Sequence, residues 1–334
     1  MKKILIISLL KLCTCFVAFG QEGLLWEITG KGLKKNSYLL GTYHLMPGSY
    51  VEEIYMADKL LQKSKTIVVE TLIDSSLLPS LSLYMVDPEG GSWTNQLSRT
   101  ELQQLDSCLR ALSGMGLDVF GVLKPAAIST SIAMLLSKMA TDSMFSAYSG
   151  PPMDLQIAQG AKASNKQAVV GLESMADQFE LLYNHEPIDT QLAQLRSMML
   201  DIDSLIPWAQ ALALAYMQQD EAAMMALLAK HQGSMGSTEA LLDARNKRWM
   251  EQLPALMKSK PCFIAVGALH LYGEAGLIAE LRKAGYKVKA VSKKSTQLSL
   301  LESGMDIVMW TALIVVFLAA GKSSIPAKST DSKA

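Results

Sequence analysis

Two segments of this chain repeat one form. Leu39-Leu40-Gly41-Thr42-Tyr43-His44-Leu45 and Ala265-Val266-Gly267-Ala268-Leu269-His270-Leu271 each run from an apolar stretch through Gly-x-x-His-Leu. Two further segments, Ile67-Val68-Val69-Glu70 and Val169-Val170-Gly171-Leu172-Glu173, run from a short apolar stretch into a glutamate. Short apolar runs of this kind read as strands, which places two histidines and two glutamates at strand exits. Imidazole nitrogen and carboxylate oxygen together suit a divalent ion such as Mn, Co, Zn or Fe, and a bound ion lowers the pKa of its water to make a nucleophile. A lone histidine after a strand is more often a packing or turn residue. It is the repetition of the motif, beside two matching glutamates, that turns the reading towards chemistry. Neither His-Glu-x-x-His nor paired Cys-x-x-Cys is present, so no standard zinc signature adds to it.

For the four side chains to meet, their strands must lie side by side, because ligands of open α/β sheets bind beyond the carboxyl ends of the strands. The pattern predicts a hairpin of strands at 24–29 and 37–43 around the polar loop Gly30 to Asn36. A helix at about 51–62 and a strand at 66–70 follow. Ser98-Arg99-Thr100-Glu101 has the capping-box form and opens a helix to about 112. Another helix covers about 125–139, Pro151-Pro152 marks a break, and a helix at 153–163 leads to a strand at 167–173. From Ser174 to Met257 the chain is rich in Leu, Ala, Met and Gln and predicts consecutive helices, punctuated near Pro187, Pro207 and Gly233 to Gly236. A strand at 261–268, a helix at about 273–284, a turn at Gly285 and a strand at 286–291 close the series. The expected fold is α/β: a mixed, partly parallel sheet flanked by helices, with a helical insertion or cap at about 174–257 between the sheet-forming halves and a domain spanning 21–300.

A chain of 334 residues, 50% hydrophobic, can bury one large core. Its 31 basic and 31 acidic side chains are interspersed, which leaves no basic footprint and argues against nucleic acid as a partner. Residues 1–20 have the form of a secretory signal, with Lys2 and Lys3 before an apolar run and a small-residue exit at Ala18-Phe19-Gly20. Lys11 disfavours a lipobox at Cys13 or Cys15. Export to the periplasm or cell envelope is the expectation. The remaining Cys108 and Cys262 are expected as unpaired, mostly buried thiols. Residues 305–321 hold the apolar run Ile307 to Ala320, followed by Lys322, Lys328 and Lys333 in a short basic tail at 322–334. That run is short for a span, but the one-sided lysines favour a C-terminal membrane anchor over a packed helix.

The chain resembles the TraB/GumN family. The resemblance is carried by Gly41-Thr42-Tyr43-His44, Glu70, Pro152-Met153-Asp154, Val170-Gly171-Leu172-Glu173 with Gln178, Arg245-Asn246 with Trp249, Gly267-Ala268-Leu269-His270-Leu271 and Gly285-Tyr286-Lys287-Val288, and runs from about 24 to 291. The Tiki branch of that family is described as membrane-bound, metal-dependent proteases acting on secreted peptides. The resemblance implies a site of His44, Glu70, Glu173, Arg245 and His270. It also implies a metal-dependent hydrolase, most simply a peptidase with a peptide or protein substrate. In that reading His44, His270 and one or both of Glu70 and Glu173 hold the ion, the other glutamate, with Glu173 the expected one, is the general base, and Arg245 stabilises the oxyanion. For Arg245 the alternative is a buried structural salt bridge. Asp154 is expected to cap the helix after Pro152, with a role in the site as the alternative. His185 and His231 read as surface residues. Two other readings of the chain stand beside this one: a non-catalytic envelope protein that sequesters a peptide or haem-like ligand, and an anchored scaffold in which the histidines only pack. Imidazoles more than about 10 Å apart could not share an ion whose ligand bonds are about 2 Å.

Overall fold

The structure is a computed structural model that describes residues 23–164, 167–230 and 237–291. One six-stranded sheet runs through it in the order β4-β3-β5-β2-β1-β6. The strands are β1 (Leu25–Thr29), β2 (Ser37–Thr42), β3 (Thr66–Thr71), β4 (Ala168–Glu173), β5 (Cys262–Gly267) and β6 (Lys287–Ala290). β2, β5, β3 and β4 are mutually parallel, and only β1 runs against its neighbours β2 and β6. The expected mixed, partly parallel sheet is therefore present. Its central strands β3 and β5 are buried along nearly their whole length, as the unbroken apolar runs Ile67-Val68-Val69 and Phe263-Ile264-Ala265-Val266 require of parallel strands covered on both faces. Each such side chain contributes roughly 1.5–3 kcal/mol when taken from water.

Twelve α-helices flank the sheet among the described residues. They are α1 (Ala57–Lys63), α2 (Leu78–Leu81), α3 (Arg99–Ser113), α4 (Leu117–Phe120), α5 (Pro125–Thr141), α6 (Met153–Ser164), α7 (Met175–Tyr183), α8 (Ile188–Leu200), α9 (Ile202–Met217), α10 (Glu221–Lys230), α11 (Ala244–Ser259) and α12 (Leu277–Lys283). The predicted capping box forms at α3: Glu101 N–H donates to Ser98 Oγ, and Ser98 N–H donates to Glu101 Oε2. The described residues within 174–257 are mainly helical, as the composition predicts, but the helical layer is wider than that interval. Trp93, Leu105, Leu109, Ile128, Ile132 and Leu136, which precede β4, form one apolar core with Leu192, Leu195, Met198 and Leu205.

Two boundaries differ from the pattern. The helix expected at 51–62 begins only at Ala57: Tyr50, Val51 and Ile54 are drawn into the core, and Met56 adopts a left-handed φ of 68° that breaks any helix through it. The helix expected from about 273 begins at Leu277, because Gly273 turns at φ 86°. Cys108 and Cys262 are free thiols, Cys262 buried and Cys108 partly so. No helix of the described residues is long and apolar enough to cross a membrane. The expected signal segment, the run Ile307 to Ala320, the basic tail, His231 and the break at Gly233 to Gly236 all lie outside the described residues.

Candidate active site

The four parallel strands β4, β3, β5 and β2 end side by side, and each delivers one expected residue at its carboxyl end. Glu173 closes β4, and Ser174 at once caps α7 through a second capping box with Asp177, which pins the strand end. Glu70 is the fifth residue of β3, and its Oε1 accepts from the Gly267 N–H at the end of β5 (2.7 Å). His270 sits on the single 3-10 turn Ala268–His270. His44 lies two residues past β2, in a turn closed by Met46 N–H to Tyr43 carbonyl (2.9 Å).

The glycines of the two Gly-x-x-His motifs act by being small. A methyl group on Gly41 would stand 3.0 Å from both Cα and Cβ of Ala268 and 3.1 Å from Leu271, so the second motif packs directly on the first. A methyl group on Gly267 would stand 3.2 Å from Glu70 Oε1, 3.6 Å from His44 Nε2 and 3.7 Å from His270 Cδ2. Glu70 and both imidazoles thus border one small space over Gly267. Those distances hold the rings inside the roughly 10 Å limit for sharing one ion.

Hydrogen bonding fixes the state of each ring. Asn246, on α11, donates from Nδ2 to the carbonyls of His270 (3.1 Å) and Ala275 (3.0 Å), so its Oδ1 is the atom that accepts from His270 Nδ1 (2.8 Å). His270 is therefore protonated on Nδ1, and its Nε2 lone pair accepts from Arg245 Nη1 (3.0 Å). Burial is the largest influence on this ring and lowers its pKa to about 3 despite the pull of Glu70, which makes it a neutral imidazole rather than an ion-pair partner. The Trp249 ring lies against it, centroids 4.4 Å apart. His44 differs: its side chain is 62% exposed, and Nδ1 meets Asp154 Oδ2 at 2.8 Å. Loss of solvent pulls its pKa down, but the hydrogen bond and charge of Asp154, with Glu70 behind, raise it to about 9. Glu70 is shifted the other way. Burial pushes it up, but His270, His44, Arg245 and the Gly267 N–H together bring it down to about 2.

Arg245 is the centre of the cluster, with its side chain only 10% exposed. It sits at the start of α11, just after the π-helical turn Glu239–Asp243. Nε donates to Glu173 (3.1 Å to Oε1), Nη1 to the Leu241 carbonyl (3.1 Å) and His270, and Nη2 to Glu70 Oε2 (2.6 Å) and Glu173 Oε1 (2.5 Å). A guanidinium has five N–H groups, and all are donated here. In this arrangement Arg245 forms the buried salt bridge that was the alternative expectation. Glu173 is engaged likewise. Its two oxygens accept from Arg245 and from Trp249 Nε1 (3.2 Å), so it stands neither as a free ligand nor as a free base. Among the described residues, no three His, Cys, Asp or Glu side chains are gathered closely enough to hold an ion as they stand.

Three further partners were not among the expected site residues. Asp154 was expected as a helix cap, but α6 begins one residue earlier at Met153, and the carboxylate turns to His44. Asn246 and Trp249 were visible only as part of the resemblance. Their spacing on α11 puts them on one helical face with Arg245, a signal legible once that face is known to meet the sheet. His185 is exposed, as expected.

Residues 24–290 match the family model of the TraB/PrgY/gumN family. No curated protein and no solved structure matches the chain.

Proposed function

The chain belongs to the TraB/PrgY/gumN family, and on that footing we propose that it is a metal-dependent hydrolase of the cell envelope that cleaves peptide bonds in peptides or secreted proteins. The observation that carries the reading is the orientation of the two imidazoles. Each has Nδ1 held by a side-chain oxygen, Asp154 for His44 and Asn246 for His270, which leaves Nε2 as the functional nitrogen. Outer partners hold metal-binding histidines in this manner. With Glu70 Oε1 bordering the same space, the donor types of His44, His270 and Glu70 suit a divalent ion once the three side chains close on it, and Mn, Co, Zn and Fe all accept such ligands. His270 offers its lone pair by exchanging the hydrogen bond it now accepts from Arg245, and His44 offers its own as the neutral ring. A bound ion of this kind supplies a Lewis acid and a water acidic enough to ionise near neutrality.

The protein's own groups do the rest. Arg245 and Glu173 form a buried brace that aims Glu70 across the strand ends. The open His44 side leaves room for substrate to enter, whereas His270 is closed off beneath Trp249. The state of two of the proposed ligands is in keeping with an ion: Glu70 is held well below the usual carboxylate range and His270 well below the usual imidazole range, so neither is a strong base towards water unaided near pH 7.

The engagement of both glutamates by Arg245 also favours a second reading, a non-catalytic envelope protein that sequesters a peptide or haem-like ligand at the same opening. Elemental analysis of the purified protein, paired with an untargeted peptide-cleavage screen, separates them. The hydrolase reading expects bound metal and cleavage to disappear together in His44→Ala and His270→Ala. Wild-type metal content and activity in both variants would end it, and tight ligand binding without turnover would establish the binder.

A further inference from the structure

The turn that carries His44 and the start of α6 are zipped together. Gly48 N–H donates to the Pro151 carbonyl (2.8 Å), Ser49 N–H to the Ser149 carbonyl (3.0 Å) and Met153 N–H to the Met46 carbonyl (2.9 Å), with Pro47 and Pro152 facing each other as an isolated bridge. Below the zipper, Tyr216 OH donates to the Gly41 carbonyl (2.9 Å) and also contacts Met153 Sδ (3.5 Å), which ties both segments to α9. The backbone thus presents Asp154 to His44 at a fixed distance, although 110 residues separate them.

Asp154 is not in place as a helix cap. Its Oδ2 is on His44, and its Oδ1 is buried with no hydrogen-bond partner. A buried acceptor left unmade costs about 1–3 kcal/mol. The carboxylate is kept there for what its other oxygen does.

We propose that Asp154 is a positioning residue of this site: it holds the His44 ring by Nδ1 and so aims Nε2 at Glu70 and the space over Gly267. The two histidines are then set by unlike partners, a carboxylate on the exposed ring and a neutral amide on the buried one. A carboxylate makes the imidazole it holds a stronger donor, whereas an amide only orients it. His44 becomes the more strongly donating ligand, exposed to solvent, and His270 the weaker, sheltered one. This consequence for ligand strength rests on the metal reading above; the orientation of the ring does not.

The test uses the full chain labelled with 15N-histidine, compared with Asp154→Asn and Asp154→Ala, and Co2+ alone as the metal probe. The proposal expects the His44 ring nitrogen shifts to move in both variants while those of His270 stay in place and both variants still unfold in one cooperative thermal transition. It also expects Co2+ affinity to fall roughly 10- to 100-fold. In a His44→Ala background, Asp154→Asn should weaken Co2+ binding no further, since the two act through one ring. Unmoved His44 shifts overturn the proposal, as does an equal loss of affinity with and without His44. His44 nitrogens that shift in the Asp154 variants, together with a wild-type protein that binds no Co2+, uphold the positioning role and overturn the metal reading alone.

Discussion

Arg245 Nη2 lies 2.6 Å from Glu70 Oε2, joining the second residue of α11 to the early strand β3 inside the protein. The same guanidinium also pairs with Glu173, to which the more exposed Arg248 adds a longer contact (3.8 Å), so one buried cation stands between two carboxylates that are almost wholly shielded from water. Removing one partner of such a group leaves the others charged and unpaired.

Arg245→Met is therefore expected to destabilise the fold by about 3–5 kcal/mol, read as a lowered midpoint in urea. Arg245→Lys restores the charge but not the five-donor fork, and should recover less than half of the loss. A urea midpoint within error of wild type for Arg245→Met would show that the brace contributes nothing.

Stability should be greatest near neutral pH and fall on both sides. The folded pKa of His270 is lowered to about 3 and that of Glu70 to about 2. The unfolded chain takes up these protons first, so stability is lost as pH falls from about 6.5 towards 2. His44 is shifted oppositely, to about 9, so its contribution is complete below about 6.5 and lost as pH rises to about 9. Thermal midpoints taken across pH should show both limbs, and His44→Ala should flatten the alkaline limb and also reduce the acid limb, because His44 is one of the charges that hold Glu70 low.

The two motif glycines should fail in different ways when given a methyl group. Gly41→Ala forces backbone atoms of Ala268 apart and should destabilise by about 1–3 kcal/mol. Gly267→Ala meets the Glu70 carboxylate instead, and should disturb the site more than the fold. A Gly267→Ala protein with wild-type stability but altered Co2+ affinity, beside a Gly41→Ala protein with the reverse, is the pattern that checks this; equal effects on both measurements would refute the distinction.

The sequence made the sheet end of the site readable because each of His44, Glu70, Glu173 and His270 sits at the end of its own apolar run, and a parallel sheet must bring such ends together. The helical contributions were hidden for a physical reason. Asp154 reaches His44 through a backbone zipper between two loops, and nothing local at Pro152-Met153-Asp154 distinguishes that use from a cap. The role of Arg245 was undecidable from its position on a helix, since the answer depends on how many of its donors are taken. Helix starts at Ala57 and Leu277 were missed because a left-handed Met56 and a turning Gly273 depend on where the core pulls the chain.

β5 is the penultimate strand in sequence yet lies between β3 and β2 in space. Until Cys262–Gly267 arrive, two early strands keep facing edges with open backbone donors and acceptors, which invite pairing with other chains. A polypeptide cut anywhere before Cys262 would lack the wedge that joins its halves, so this architecture can close only after nearly all of it has been synthesised.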